Sequence, residues 1–273
     1  MINDAAYRLK AQKLRLSILD AVYHAGSGHL GGSFSSVEIM LSLYGEVMRY
    51  RPDEPDWCDR DRFLLSKGHA APVLYATLAE YGFFPQDELK SLRQWGSMLQ
   101  GHPDMRRTPG VDFSSGSLGQ GLSIGLGMAH ALSMRNSEAR VFVLLGDGEL
   151  NEGQIWEAAM AANKMKPKNL VAIVDRNGVQ LDGTSDDIMP MEPLADKWRA
   201  FGWTVLEADG HSVSDMTRAL TTAVACGAPC VMIANTVKGK GVSFMEGRHE
   251  WHGGVLNDKQ YEQARNELAG HPI

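Results

Sequence analysis

Val141-Phe142-Val143-Leu144-Leu145 runs directly into Gly146-Asp147-Gly148, and Leu170-Val171-Ala172-Ile173-Val174 runs directly into Asp175-Arg176-Asn177-Gly178. Unbroken apolar runs of this kind fit parallel strands buried on both faces rather than the in–out alternation of a half-solvated sheet. A helical stretch from Glu152 to Met165 lies between them, so the pair reads as one βαβ unit. In an open parallel sheet, ligands sit beyond the carboxyl ends of the strands. The spacing allows Asp147 and Asn177 to meet there. One carboxylate and one amide oxygen are hard ligands suited to Mg²⁺ or Ca²⁺, completed by phosphate oxygens and water. Gly148 would let the backbone approach a diphosphate closely. Either turn alone fits an ordinary β-turn; two of them after two buried strands favour a metal–diphosphate site.

The same rhythm continues outward. Phe63-Leu64-Leu65-Ser66, Trp203 to Glu207 and Cys230-Val231-Met232-Ile233-Ala234 read as further strands, and Leu194 to Phe201 and Val213 to Cys226 as helices. Towards the N-terminus the pattern predicts a helix over Tyr7 to His24. A second, capped by Ser35 or Ser36, runs through Val47, and a third runs from Ala70 to Tyr81 and is ended by Gly82. Pro85 opens another helix, Leu118 to Met134 is a Gly/Ala-rich one, and Arg51 to Arg62 and Gln100 to Ser115 are loops. The expectation is a three-layer α/β fold: an open, mostly parallel sheet with helices on both faces. It forms one domain over residues 1–273, with an irregular tail after Gly239.

Composition bounds the function. Apolar residues are 44% and charged residues 22% of 273, as in ordinary globular chains. A net charge of −6 without a basic run gives no nucleic-acid footprint. The apolar runs are far too short to span a membrane, and the N-terminus has no signal-peptide apolar stretch. Cys58, Cys226 and Cys230 make no disulfide framework, so the expected setting is the cytoplasm; Cys226 and Cys230 read as buried apolar residues. Glycine is the outlier, 29 residues gathered in clusters that also carry polar groups. Neither a dinucleotide G-x-G-x-x-G nor a P-loop is spelled out.

Gly146-Asp147-Gly148-Glu149 through Asp175-Arg176-Asn177 resembles the thiamine diphosphate motif. Ser27-Gly28-His29, Leu65-Ser66-Lys67-Gly68-His69-Ala70-Ala71-Pro72, Gly101-His102-Pro103, Gly116-Ser117-Leu118-Gly119-Gln120-Gly121, Trp156-Glu157-Ala158, Lys238-Gly239-Lys240-Gly241 and Trp251-His252-Gly253 resemble transketolase signatures, in family order. The resemblance covers the family's diphosphate-binding domain and not its pyrimidine-binding or C-terminal domains. It therefore implies the N-terminal subunit of a split transketolase, partnered by a C-terminal subunit in an α₂β₂ assembly. It implies thiamine diphosphate and Mg²⁺ (or Ca²⁺) as cofactors, with the metal on Asp147, Asn177 and the Val179 carbonyl. Gly148, His69 and Lys238 would contact the diphosphate region, with Asn177 and His252 also on the cofactor. Gly116, Ser117 and Leu118 would lie against the aminopyrimidine. His29, His102 and His252 would line the substrate channel as catalytic groups. Glu152 matches a family glutamate at the subunit interface, and equally fits a first-turn helix acid.

The implied reaction moves a two-carbon ketol unit from a ketose phosphate to an aldose phosphate, with the cofactor as electron sink. The activating glutamate of the pyrimidine-binding domain cannot come from this chain, so the chain alone should be inactive. Leu30 after His29 also resembles deoxyxylulose-phosphate synthase. A 2-oxoacid decarboxylase or dehydrogenase α subunit is a further alternative. Lys67-Gly68-His69 and Trp251-His252-Gly253 argue against both.

Overall fold

The computed structural model describes residues 2–270. Five strands, β1 (Arg62–Leu65), β2 (Val141–Gly146), β3 (Leu170–Arg176), β4 (Thr204–Asp209) and β5 (Cys230–Asn235), form one fully parallel sheet in the order β1-β2-β3-β5-β4. Alternate residues of each apolar run face opposite layers. Phe63, Leu65, Phe142, Leu144, Val171 and Ile173 join one core; Leu64, Val141, Val143, Leu145, Leu170, Ala172 and Val174 join the other. Burial on both faces is why these runs show no period-two pattern.

Helices α1 (Asp4–Ala25), α2 (Leu30–Phe34), α3 (Val37–Ser42) and α4 (Ala71–Glu80) pack into the first core. Helices α5 (Gln120–Met134) and α6 (Gly153–Met165) cover the other face. A single turn, α7 (Ser185–Ile188), precedes α8 (Leu194–Ala200) on that second face, and α9 (Val213–Ala225) returns to the first. The Gly/Ala content of α5 has a steric origin: a Cβ at Gly125 would stand 2.5 Å from Val143 Cγ2, so the helix lies directly on β2. Among the described residues, no helix is long and apolar enough to cross a membrane.

Five expectations are corrected. The tail is not irregular: Asp258–Gly270 forms α10, which packs on α1 through Ala264 and Leu268, with Tyr261 stacked on Tyr23 at 3.9 Å. Only two of its residues are buried, too few for an apolar period to show. The helix expected up to Val47 ends as α at Ser42 and widens into a π-turn over Leu43–Val47. Ser35 and Ser36 do not cap it with their side chains; both hydroxyls are spent on Gly32 O and Asp175. The segment after Pro85 is a short 3₁₀ stretch, Gln86–Ser91, burying only Leu89. Cys226, placed at the exposed end of α9, is exposed, whereas Cys230 in β5 is buried.

One buried ion pair ties α1 to α3. Arg15 donates from Nη1 and Nη2 to Glu38 at 2.6 and 2.8 Å, and from Nη2 to Phe34 O at 2.9 Å. Burial alone would raise the Glu38 carboxyl; Arg15 and His211 outweigh it and hold the group at about 2. Arg15→Met leaves this carboxylate buried without its cation. It should cost about 3–5 kcal/mol of unfolding free energy near pH 7. A carboxyl with a depressed pKa stabilises above its ordinary range near 4.5 and loses that contribution as pH falls towards 2. The deficit of the variant, read from urea melts, should therefore shrink below pH 4.5.

Candidate functional site

The loops that follow β1, β2, β3 and β5 meet at the carboxyl ends of the strands, where the register places Gly146 beside Asp175 and Arg176 beside Asn235. A cavity of 170 Å³ opens there, lined by Lys67, His69, Asp147, Asn177, Lys238 and His252 among others. Gly148 and the Val179 backbone also line it, as does Leu118.

Asp147, at the end of β2, is buried and accepts from Gly148 N at 2.8 Å, Gly178 N at 2.6 Å and Ser185 Oγ at 3.3 Å. Burial and the neighbouring Asp175 push its carboxyl up to about 6. Asn177 donates from Nδ2 to Asp175 at 3.0 Å, and its Oδ1 accepts from Val179 N at 3.2 Å. Lys238, just beyond β5, is 2% exposed; its Nζ donates to the carbonyls of Val179 and Gln180 at 3.1 and 3.3 Å. Burial brings this ammonium down to about 8.

Three rings close the other side. His29 lies 5.2 Å from His69 and 5.4 Å from His252, and His69 lies 4.8 Å from His252, centroid to centroid. Burial first, then the surrounding cations and rings, holds His29 at about 4, His69 at about 2 and His252 at about 3. All three are uncharged at neutral pH. Lys238 Nζ donates to His252 Nδ1 at 3.0 Å, so the His252 proton sits on Nε2. His102 stands apart from this trio. It is exposed, lies beside Gly116, and its imidazole is lowered by burial and by Arg93. Gly116, Ser117 and Leu118 are exposed at the rim, and Glu152 is exposed at the start of α6 with no capping hydrogen bond.

Two carboxylates in the quoted motifs carry more than their motif positions indicated. Asp175, at the end of β3 and fully buried, accepts from Lys67 Nζ at 2.5 Å, from Ser35 Oγ at 2.6 Å and from Thr236. Glu149 accepts from Gly119 N at 2.9 Å, from Gly146 N at 3.0 Å and from Ser66, tying the start of α5 to the turn after β2. Both are long-range partnerships, invisible until the strands are laid side by side. The signal available was the polar residue directly after an apolar run.

The residues present fit a divalent cation with a diphosphate. Asp147, Asn177 Oδ1 and Val179 O form a hard-oxygen set. Val179 O already faces a cation, the ammonium of Lys238. A Cβ at Gly148 would stand 3.1 Å from Gln180, so glycine keeps that cradle open. His29 Nδ1 and Gln180 Nε2 are buried without a protein partner. Among the described residues no cluster of three His, Cys, Asp or Glu side chains could hold a metal, so phosphate oxygens and water would complete the shell.

Residues 7–273 match the family described as the thiamine diphosphate binding domain of transketolase. The chain is 44% identical over 262 residues to an apulose-4-phosphate transketolase subunit of Phocaeicola vulgatus, covering 96% of this chain and 93% of that one. It is 45% identical over 260 residues to the 6-deoxy-6-sulfo-D-fructose transketolase subunit SqwG of a Clostridium species, covering 95% and 94%. It superimposes on the crystal structure of Campylobacter jejuni transketolase with a TM-score of 0.92 and 31% identity, covering 99% of this chain but 44% of that one.

Asp147→Asn removes a buried charge but leaves an oxygen for only one of the two amides, Gly148 N and Gly178 N, that Asp147 accepts from through separate oxygens. The cofactor-free variant should melt close to wild type, because relief of a desolvated carboxylate offsets the backbone amide left without its acceptor. Its Mg²⁺-dependent affinity for thiamine diphosphate should fall by at least about tenfold, as expected for losing a charged hard ligand. Calorimetric titration and a thermal melt check the two halves separately.

Proposed function

This chain belongs to the transketolase family as its thiamine diphosphate-binding domain, and we propose that it is the diphosphate-binding half of a split transketolase. In this reading residues 1–273 form one domain, and a partner polypeptide supplies the pyrimidine-binding and C-terminal domains in an α₂β₂ enzyme. The observation that carries it is the convergence of Asp147, Asn177, Val179 and Lys238 with neutral His69 and His252 in one cavity, and neutral His29 packed against both rings.

Asp147, Asn177 and the Val179 carbonyl would hold Mg²⁺ or Ca²⁺, which in turn takes diphosphate oxygens. His69, Gly148 and Lys238 would hold the diphosphate itself, the lysine as a point charge against phosphate. Gly116, Ser117 and Leu118 would border the aminopyrimidine. When bound, the cofactor supplies the electron sink for cleavage of a carbon–carbon bond. His29 and His252 are uncharged and each carries one donor and one acceptor nitrogen, so they can bond a sugar hydroxyl or carbonyl and move a proton. Nε2–H of His252 is the group set to donate, since its Nδ1 is held by Lys238. His102, exposed at the rim, would meet the substrate on entry. Glu152, exposed at the start of α6, would face a neighbouring protomer.

The donor would be a ketose carrying a terminal anion and the acceptor an aldose phosphate. The two relatives named as transketolase subunits differ in the sugar printed for them, an apulose phosphate and a sulfonated fructose. Both keep the ketose and vary the rest. The three free thiols suit a cytoplasmic setting.

Ketol transfer from xylulose 5-phosphate to ribose 5-phosphate, run with thiamine diphosphate and Mg²⁺, tests the reading. The chain alone should give no turnover, and the chain mixed with the product of the adjacent reading frame should give turnover that EDTA abolishes. Turnover by the chain alone would sink the split-enzyme reading. Parallel arms with apulose 4-phosphate and 6-deoxy-6-sulfofructose as donors identify the sugar.

A further inference from the structure

The loop that carries Lys238 leaves β5 at Asn235 and is tied down one backbone amide at a time. Thr236 N donates to Arg176 O at 3.1 Å, and Gly239 N to Gly31 O at 3.0 Å. Between these two, Val237 N donates to a side chain: Nε2 of His211, at 2.8 Å. His211 comes from the turn between β4 and α9, outside every motif that singled out the site.

A backbone N–H can only donate, so Nε2 of His211 must be the acceptor and the ring proton must sit on Nδ1. Nδ1 faces Glu38 Oε2 at 3.0 Å. Glu38 is itself held by the two Arg15 donors described above. The backbone of the turn is fixed as well: Gly210 N donates to Asn235 O at 2.8 Å, and His211 N to Asp209 Oδ1 at 2.9 Å. The ring therefore has one tautomer and one orientation, set from α1 and α3. It hands that constraint to the residue immediately before Lys238.

We propose that His211 is a positioning residue for the cofactor lysine. As a neutral Nδ1–H imidazole backed by Glu38 and Arg15, it anchors Val237 and so fixes where Lys238 Nζ stands against the Val179 and Gln180 carbonyls. This rests on the reading of Lys238 as a diphosphate ligand. His211 does not itself line the cavity and is not one of the three clustered rings. It acts through the loop, as the outer partners of metal and phosphate ligands do.

His211→Ala and His211→Gln, each assembled with the partner chain, test it. Glutamine can accept from Val237 through Oε1 and donate to Glu38 through Nε2; alanine can do neither. In cofactor-free H211A, hydrogen exchange of peptides spanning 235–241 should quicken at least tenfold while the other strands stay protected. The dissociation constant for thiamine diphosphate, with Mg²⁺ present, should rise about 10–100-fold, as for loss of an outer-shell partner, and kcat at saturating cofactor should fall far less. H211Q should restore protection and most of the affinity. Unchanged exchange and affinity in H211A would overturn the proposal, and so would equal losses in both variants with a common drop in melting temperature. The exchange readout needs no cofactor. A wild-type complex that bound no thiamine diphosphate would refute the functional reading, while exchange at 235–241 would still decide the anchor.

Discussion

A single buried carboxylate organises the ligand end of the sheet. Asp175 closes β3 with no solvent exposure and gathers groups from four separate segments. Lys67 comes from the turn after β1, Ser35 from between α2 and α3, Thr236 from beyond β5, and Asn177 from its own turn. A buried ion pair is not in itself a strong source of stability, because desolvation consumes most of the Coulombic gain. Its effect here is geometric. Burial alone would raise the Asp175 carboxyl, but Lys67 and the hydroxyl donors hold it below its usual value. A charged Asp175 then demands that all its donors stay in place. The loops that carry the site are held by that demand as well as by packing, for Val242 and Met245 just beyond Lys238 are buried in the first core.

The same carboxylate governs the metal-ligand side chain. Asn177 offers its amide nitrogen to Asp175, which turns Oδ1 away from that carboxylate. Asp147 and Asp175 repel one another across the strand ends, and the ammonium groups of Lys67 and Lys238 offset the repulsion. The strand ends thus hold three buried carboxylates, Asp147, Glu149 and Asp175, with two buried lysines, Lys67 and Lys238, and three uncharged imidazoles beside them. Burial among cations keeps those rings neutral, so each has one donor and one acceptor nitrogen.

The fold and the site were legible to different depths for different reasons. Val141 to Leu145 and Leu170 to Val174 announce themselves because strands buried on both faces need unbroken apolar sequence. The polar residues that follow them, Asp147 and Asn177, sit where an open parallel sheet places its ligands. Helix α10 did not announce itself, because two buried residues cannot print a period. The serines after Phe34 resemble a helix cap in sequence, yet Asp175 and the Gly32 carbonyl claim their hydroxyls. That choice depends on a residue far along the chain and cannot be read locally. His211 was silent for the same reason: its meaning lies in Glu38 and Val237, both distant in sequence.

The rim of the cavity shows what kind of surface the chain presents. Leu118 and Leu181 line the cavity and are 36% and 60% exposed. Single exposed apolar side chains are ordinary, but a group at the mouth of a polar pocket is the composition of an interface core. The polar floor is largely satisfied within the chain, where lysines, carboxylates and imidazoles bond one another and leave His29 Nδ1 and Gln180 Nε2 without a protein partner. The apolar mouth is not covered, for Leu118 and Leu181 stay exposed among the described residues. A diphosphate needs the floor, whereas a flat heteroaromatic ring needs two walls. The division between floor and mouth follows the division of labour proposed between this chain and a partner: charge is handled here, and the ring is enclosed only when a second surface closes over it.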